Sequence, residues 1–261
     1  MLELLFRGWR TVATGFCFLV FGVGELLEAM LVLPFLVLFI RDLQRRRRVG
    51  KWLLYINFRA FVGLMRWVGV LSYETRNLER LQRPGLLVLA NHPTLVDVIF
   101  LVSFLKRADC IVKGSLLKNP FTRHVIDSAG LIPNSVAGLE LVETCIRSIN
   151  NGNSLVIFPE GSRTRDHQLL PFQRGASQIA LRGQKNITPV VIQVNEHNLG
   201  RGHSWWKAPK RKVHFIFDVQ EDIPIEPFLA RRQDVPAAAR ELTAHLTRYF
   251  EQHLESTLGT N

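Results

Sequence analysis

Between residues 70 and 219 the chain alternates short apolar runs with stretches whose apolar residues recur at helical spacing, and this restricts the fold more than any other feature. Runs suited to strands fall near 70–75, 86–91, 110–113, 154–159, 187–195 and 212–219. Helical spacing falls near 97–106, 115–128, 136–150 and 173–183. A last helix, near 236–255, carries Leu242, Leu246, Tyr249, Phe250 and Leu254 on one side. Leu86–Ala90 and Ser154–Phe158 are almost uninterrupted apolar runs, as strands covered on both faces require. Residues 70–261 are therefore expected to form an α/β domain with a mixed, largely parallel sheet covered by helices. At 261 residues the chain is long enough for that domain, its full core and an appendage.

The appendage is residues 1–69. Thr11–Ile40 is almost wholly apolar, broken by Gly22, Gly24, Glu25, Glu28 and Pro34; Arg7 and Arg10 precede it, and Arg41 and Arg45–Arg48 follow. One straight helix of about 30 residues would reach roughly 45 Å, against a hydrocarbon core of about 30 Å. It would also set Glu25 and Glu28 near mid-membrane, a costly place for carboxylates. A bend at Gly22–Glu28 makes a hairpin that dips into the cytoplasmic leaflet and leaves both basic ends on one side. We prefer this to a tilted single span, to a cleaved signal peptide and to a buried core hairpin. Residues 50–69, with Trp52, Tyr55, Phe58, Phe61 and Trp67 among Lys51, Arg59 and Arg66, read equally as an interfacial helix and as a stripe packed on the domain. The formal charge of +11 calls for an anionic partner. Directly after an apolar segment, Arg45–Arg48 suits membrane lipids, not nucleic acid. Cys17, Cys110 and Cys145 are scattered, which points to reduced core residues, no zinc site and a cytoplasmic setting. Ser204–Lys207 reads as a loop that packs its tryptophans or touches the membrane.

Two short stretches carry chemistry. Asn91-His-Pro-Thr-Leu-Val-Asp97 lies where an apolar strand opens into an apolar helix, and a bend at Pro93 can bring Asp97 under the His92 ring. A carboxylate there would fix the imidazole tautomer and raise its basicity. Taken alone, the pair reads first as a helix cap beside a satisfied turn histidine. The second stretch, Phe158-Pro-Glu-Gly-Ser-Arg-Thr-Arg165, also follows a buried strand. Gly161 permits a tight turn, and Arg163 offers a planar fork suited to phosphate. With Ile187-Thr-Pro-Val-Val-Ile192, these blocks resemble, in order and spacing, the signatures of the glycerolipid acyltransferases, the 1-acylglycerol-3-phosphate acyltransferase family, over roughly residues 84–195.

The resemblance implies a membrane-associated O-acyltransferase on the cytoplasmic face of the inner membrane. It would move a fatty acyl group from acyl-CoA or acyl carrier protein to the hydroxyl of a lysophospholipid, foremost 1-acyl-sn-glycerol 3-phosphate, without metal or other cofactor. His92 is then the general base and Asp97 its partner. Glu160, Gly161, Ser162 and Arg163 serve the acceptor's phosphate, with Glu160 expected to orient Arg163 or an acceptor hydroxyl. Asn91 either fixes its turn or lends an amide to the site, and Lys113 is a further candidate for binding substrate. Arg165 reads as a surface residue. One departure stands out: where the family often carries an arginine between these blocks, Gly130-Leu-Ile-Pro-Asn-Ser-Val136 has no cation. Either Lys113, Lys118 or Arg123 substitutes in space, or the acceptor is another lysophospholipid, an amino-acid lipid or a polyene-like lipid. A non-enzymatic membrane adaptor is the reading from a different class; such a scaffold has no use for the His92–Asp97 pair.

Overall fold

The structure is a computed structural model that describes residues 2–135, 138–163, 171–195, 211–231 and 234–258. Arg165 and Ser204–Lys207 lie outside the described residues. The strands are β1 (Leu71–Arg76), β2 (Leu87–Ala90), β3 (Ala108–Val112), β4 (Ile132–Pro133), β5 (Ser154–Ile157), β6 (Ile187–Val194) and β7 (Val213–Val219). They form one sheet in the order β1-β7-β6-β2-β5-β3-β4. The block β6-β2-β5-β3-β4 is parallel throughout, whereas β7 runs antiparallel to β6 and carries β1 with it. The sheet is thus mixed and largely parallel, as expected. The two-residue β4 was not anticipated; it lies at the edge of the sheet, where Pro133 costs no ladder bond.

Nine helices are described: α1 (Leu2–Leu27), α2 (Leu33–Phe39), α3 (Leu43–Trp67), α4 (Asp97–Phe104), α5 (Pro120–Ala129), α6 (Leu139–Asn150), α7 (Gly175–Gly183), α8 (Glu226–Arg231) and α9 (Val235–Leu258). The alternation of side chains along each strand sends them to two different cores. Leu87, Leu89, Leu155 and Ile157 face α6, α7 and α9, where Cys145, Ile179, Leu242 and Phe250 are buried. Val88, Ala90, Val156 and Ile192 face the other way, into a cluster with Phe61 and Met65 of α3 and Phe100 and Leu101 of α4. This double burial is why β2 is apolar at every position and β5 at every position after Ser154.

The N-terminal segment departs from the expected bend. A single helical path runs from Leu2 to Phe39, with a π-helical turn at Glu28–Val32, and the chain reverses at Ile40–Asp42. Consequently Arg7 and Arg41 lie at opposite ends of the path, not on one side. The reason is packing along α3. Phe18 and Phe21 pack tilted against Phe61 with ring centroids 5.4 and 4.7 Å apart, and Trp9 Nε1 donates to the Val68 carbonyl at 3.2 Å. The Asn57 amide donates to Glu25 at 3.4 Å and to Glu28, so neither carboxyl group forces the helix to break. Phe6–Phe39 is long and apolar enough to cross a membrane.

Helix α3 starts at Leu43, earlier than the apolar stripe suggested, because Asp42 caps it by accepting the Arg45 N–H at 2.5 Å. One face is buried through Leu54, Phe61, Val62 and Met65, while Trp52, Ile56 and Trp67 stay exposed. The helix therefore packs on the domain and keeps an apolar outer face. It comes close to α5 at Gly50, where a Cβ would lie 2.3 Å from the Ser128 carbonyl oxygen. The next residue, Lys51, is buried. Its ammonium donates to Asp109 of β3 and, at 2.7 Å, to the Ala129 carbonyl, and Ser148 of α6 donates to the same carboxylate.

Removing one partner of such a pair leaves a buried charge uncompensated, at about 3–5 kcal/mol. Lys51→Met should lose stability on that scale, measured by denaturant unfolding in detergent, and Lys51→Met/Asp109→Leu should recover most of it. An equal loss in the double variant would show that the charges themselves are not what matters.

Candidate active site

The C-terminal edge of the parallel block gathers the residues singled out above. Strands β2, β5 and β3 are neighbours in that order, with Leu89 opposite Ile157 and Cys110 opposite Val156. Three loops therefore leave the sheet side by side: Asn91–Val96 after β2, Phe158–Arg163 after β5 and Lys113 after β3. Neighbouring strands lie about 4.8 Å apart, so the first and third of these loops start about 10 Å from each other.

Asn91 fixes the first loop. Its amide nitrogen donates to the Ile192 carbonyl at 2.8 Å, and its amide oxygen accepts the Ile192 N–H at 2.7 Å, so the buried side chain replaces a strand partner for β6. Of the two roles considered for Asn91, the structure places it in the turn-fixing one. His92 follows, its backbone N–H donating at 2.8 Å to Oε1 of the buried Glu160. Glu160 thus ties the second loop to the first, a bond between the blocks that spacing could not reveal.

The His92 ring lies on Phe158, with centroids 4.1 Å apart and planes 24° from parallel. Its Nδ1 is 3.0 Å from Oδ2 of Asp97, the first residue of α4. The Asp97 side chain has 0% exposure and also accepts the Thr94 N–H at 2.6 Å and the Thr94 hydroxyl at 2.5 Å. Burial pushes the Asp97 pKa above the ordinary carboxylate value, opposed by the bonds from His92 and Thr94. With Asp97 accepting from Nδ1, the proton sits on Nδ1 and the Nε2 lone pair is free to accept. No described residue bonds Nε2, and the ring remains 18% exposed, so an incoming group can reach it.

Asp97 is held in place from below. One turn along α4, Phe100 is fully buried against Tyr73, Phe215 and Phe217, with centroids 4.7–5.2 Å away. In the β5 loop, Gly161 sits at φ +66°, a backbone region where a Cβ is strained. The turn closes through Gly161 N–H to Phe158 carbonyl at 3.1 Å and Gln173 N–H to Pro159 carbonyl at 2.8 Å. Ser162 and Arg163 follow, both half-buried. Lys113 is exposed, just before a 3₁₀ turn at Gly114–Lys118. Within the cation-free segment, Asn134 accepts the Gly114 N–H at 2.8 Å and so braces the Lys113 turn. Of the substitutes considered for its missing arginine, Arg123 is paired with Asp127 at 3.4 Å, and Lys118 is exposed.

Sequence reasoning missed three contributors: the Thr94 hydroxyl and N–H on Asp97, the Phe158 ring, and the Glu160 bond to the His92 backbone. The first two carry a weak local signal, since Thr94 is three residues from Asp97 and Phe158 follows its strand directly.

Comparison with known proteins converges on the same stretch. Residues 72–193 match the model of the family described as Acyltransferase. A 1-acyl-sn-glycerol-3-phosphate acyltransferase from Helicobacter pylori is 33% identical over 112 residues, covering 41% of this chain and 47% of that protein. The chloroplastic 1-acyl-sn-glycerol-3-phosphate acyltransferase BAT2 of Brassica napus is 25% identical over 193 residues, covering 68% of this chain and 52% of that protein. The chain therefore spans about half the length of these relatives. The crystal structure of the 1-acyl-sn-glycerophosphate acyltransferase PlsC from Thermotoga maritima superposes with a TM-score of 0.69 at 18% identity, over 99% of this chain and 98% of that one, and so has the same fold.

Proposed function

We propose, from the match of residues 72–193 to the acyltransferase family, that this protein transfers a fatty acyl group from a coenzyme A or acyl-carrier-protein thioester to the hydroxyl of a lysophospholipid, foremost 1-acyl-sn-glycerol 3-phosphate. The observation that carries the reading is the buried Asp97 holding Nδ1 of a ring whose Nε2 is free. The names of the relatives, 1-acyl-sn-glycerol-3-phosphate acyltransferases, support the acceptor.

In this mechanism Nε2 of His92 takes the acceptor's hydroxyl proton as the oxygen attacks the thioester carbonyl. The carbon–oxygen bond forms, the tetrahedral intermediate collapses, and the carbon–sulfur bond breaks. The imidazolium then returns its proton to the departing thiolate, releasing free thiol. Asp97 stabilises the imidazolium between the two steps and keeps the ring turned, the part its counterpart plays in hydrolytic triads. Burial opposes ionisation of Asp97, and a cationic His92 ring favours it. Arg163, two residues beyond Glu160, and Lys113 on the neighbouring loop supply positive charge for the acceptor's phosphate. Glu160, Gly161 and Ser162 shape the turn that presents Arg163. The reaction as drawn uses no metal or redox cofactor. The cation-free run at 130–136 favours a second reading for the acceptor alone, a lipid alcohol whose head group differs from glycerol 3-phosphate.

The helical path 2–39 supports membrane association. Phe16, Leu19, Met30, Phe35, Leu38 and Phe39 are exposed along it. Because α1 is pinned along α3 from Trp9 to Glu28, and α3 along the domain, the path lies against the domain instead of projecting from it. That geometry suits a helix embedded in one leaflet on the domain's side of the membrane.

Three measurements test these readings. His92→Ala should cut turnover by about 10²–10⁴-fold, measured as thiol release from acyl-thioester and acceptor, with an unchanged melting temperature. A folded, active variant removes His92 from the mechanism. Arg163→Ala should raise KM for a phosphorylated acceptor and leave kcat near normal; an unaltered KM argues against phosphate at that turn. Replacing Leu19, Phe35 and Phe39 together by Glu should abolish flotation with lipid vesicles, and persistent flotation would shift the anchor to the outer face of α3.

A further inference from the structure

The opposite edge of the sheet carries a second basic site. Arg107 directly precedes β3 and Asn153 directly precedes β5, so both sit at the N-terminal edge of the parallel block, whereas His92 lies past its C-terminal edge. Four or five residues of strand separate the two edges by roughly 15 Å. At the N-terminal edge a cavity of about 550 Å³ opens between α3, α6 and the starts of β3 and β5. Arg47, Arg48, Lys51, Arg107 and Arg147 line it, with Asp109 the one carboxylate among the lining residues. Asp109 is already taken up by Lys51 and Ser148, so it leaves the four guanidinium groups without a counter-charge.

The groups are held for binding. Arg107 Nη2 donates to the Asn151 carbonyl at 2.8 Å and to Asn153 Oδ1 at 3.1 Å, while its buried Nε has no partner among the described residues. Arg147 Nη2 donates to Thr144 Oγ1 at 3.2 Å. Arg47 lies across Gly130, where a Cβ would come within 2.7 Å of its Cδ, so the glycine leaves room for that side chain. Arg47 and Arg48 have no hydrogen-bond or ion-pair partner among the described residues. Like charges gathered this closely repel one another, and a multivalent anion relieves the repulsion.

We infer that this cavity binds a phosphate-bearing anion, at a place distinct from the acceptor's. Planar guanidinium forks match phosphate oxygens in pairs, and the volume suits a head group or a small phosphate ester. The anion's source is either a lipid head group or a soluble phosphate. The cavity lining begins at Gln44, beside the exposed Leu43 at the start of α3, and the exposed end of the apolar path is four residues earlier in the chain, which puts lipid within reach. The inference does not rest on acyl transfer.

Calorimetric titration with inorganic pyrophosphate tests it, using the full chain in detergent with Arg163→Ala in place to silence the turn after β5. Binding should persist in that background and weaken at least ~tenfold in Arg47→Ala/Arg147→Ala, a change of about 1.4 kcal/mol. Both side chains are exposed, so the melting temperature should hold; if the double variant melts early, Arg48→Gln in the same titration decides by the same criterion. No pyrophosphate binding, binding lost with Arg163→Ala alone, or binding indifferent to the cavity arginines overturns the site. Displacement of bound pyrophosphate by phosphatidate in micelles identifies a lipid ligand, and displacement by glycerol 3-phosphate a soluble one; both support the site. Failure of the acyl-transfer reading would appear in thiol release and leave this titration unchanged.

Discussion

A carboxylate with no access to water is the constraint on which the site depends. Burying Asp97 opposes its ionisation, and the surrounding structure offsets that cost with three bonds, from His92 Nδ1, the Thr94 N–H and the Thr94 hydroxyl. Each requires the Asn91–Val96 loop to fold back over the start of α4. The loop keeps that shape because Asn91 is joined to β6 at one end and Phe100 wedges α4 among the β1 and β7 aromatics at the other. Geometry within an ångström at His92 thus rests on contacts two strands away. On the acyl-transfer reading, fixing the tautomer in advance leaves little reorganisation for the moment of proton transfer.

Much of this was legible in the sequence, for physical reasons. Strand positions follow from burial on both faces, which leaves β2 wholly apolar and β5 apolar after Ser154, and the structure reproduces them within a few residues. The proximity of His92 and Asp97 is local, five residues across a proline turn, and the structure brings them to 3.0 Å. What escaped depends on contacts far apart in the chain. The Glu160 bond spans 68 residues, and the Asn91 clamp spans 101. The site of chain reversal in the N-terminal segment escaped for the same reason. Glycine and glutamate at 22–28 read as a helix break only when α3 is ignored; with Asn57 facing them, Glu25 and Glu28 have partners and the helix continues.

Helix α3 joins parts that the sequence presents as separate. Its outer flank carries α1, its inner flank carries α4 and α5, and Lys51 reaches through to β3. The buried cluster is continuous from Ala13 and Cys17 of α1, through Phe61 and Met65, to Val88 and Val156 of the sheet. An apolar path attached along such a helix has its orientation set by the domain, so the strand edges keep a fixed attitude to whatever surface that path occupies.

If the acceptor is a lipid, as proposed, that attachment bears on how it reaches His92. A fatty chain costs about 0.8 kcal/mol per methylene to draw into water, so an acceptor lipid leaves the bilayer only over a short distance. Leu95, on the His92 loop, and Leu116, on the Lys113 turn, are exposed apolar residues at the same strand edge. On the acyl-transfer reading, they extend the apolar surface to the rim of the site, while Lys113 and Arg163 meet the charged head. A chain can then remain against apolar side chains while its hydroxyl approaches Nε2. On that reading, the reach of the site is set by where α3 holds the domain relative to the apolar helix, as much as by the His92 and Arg163 loops.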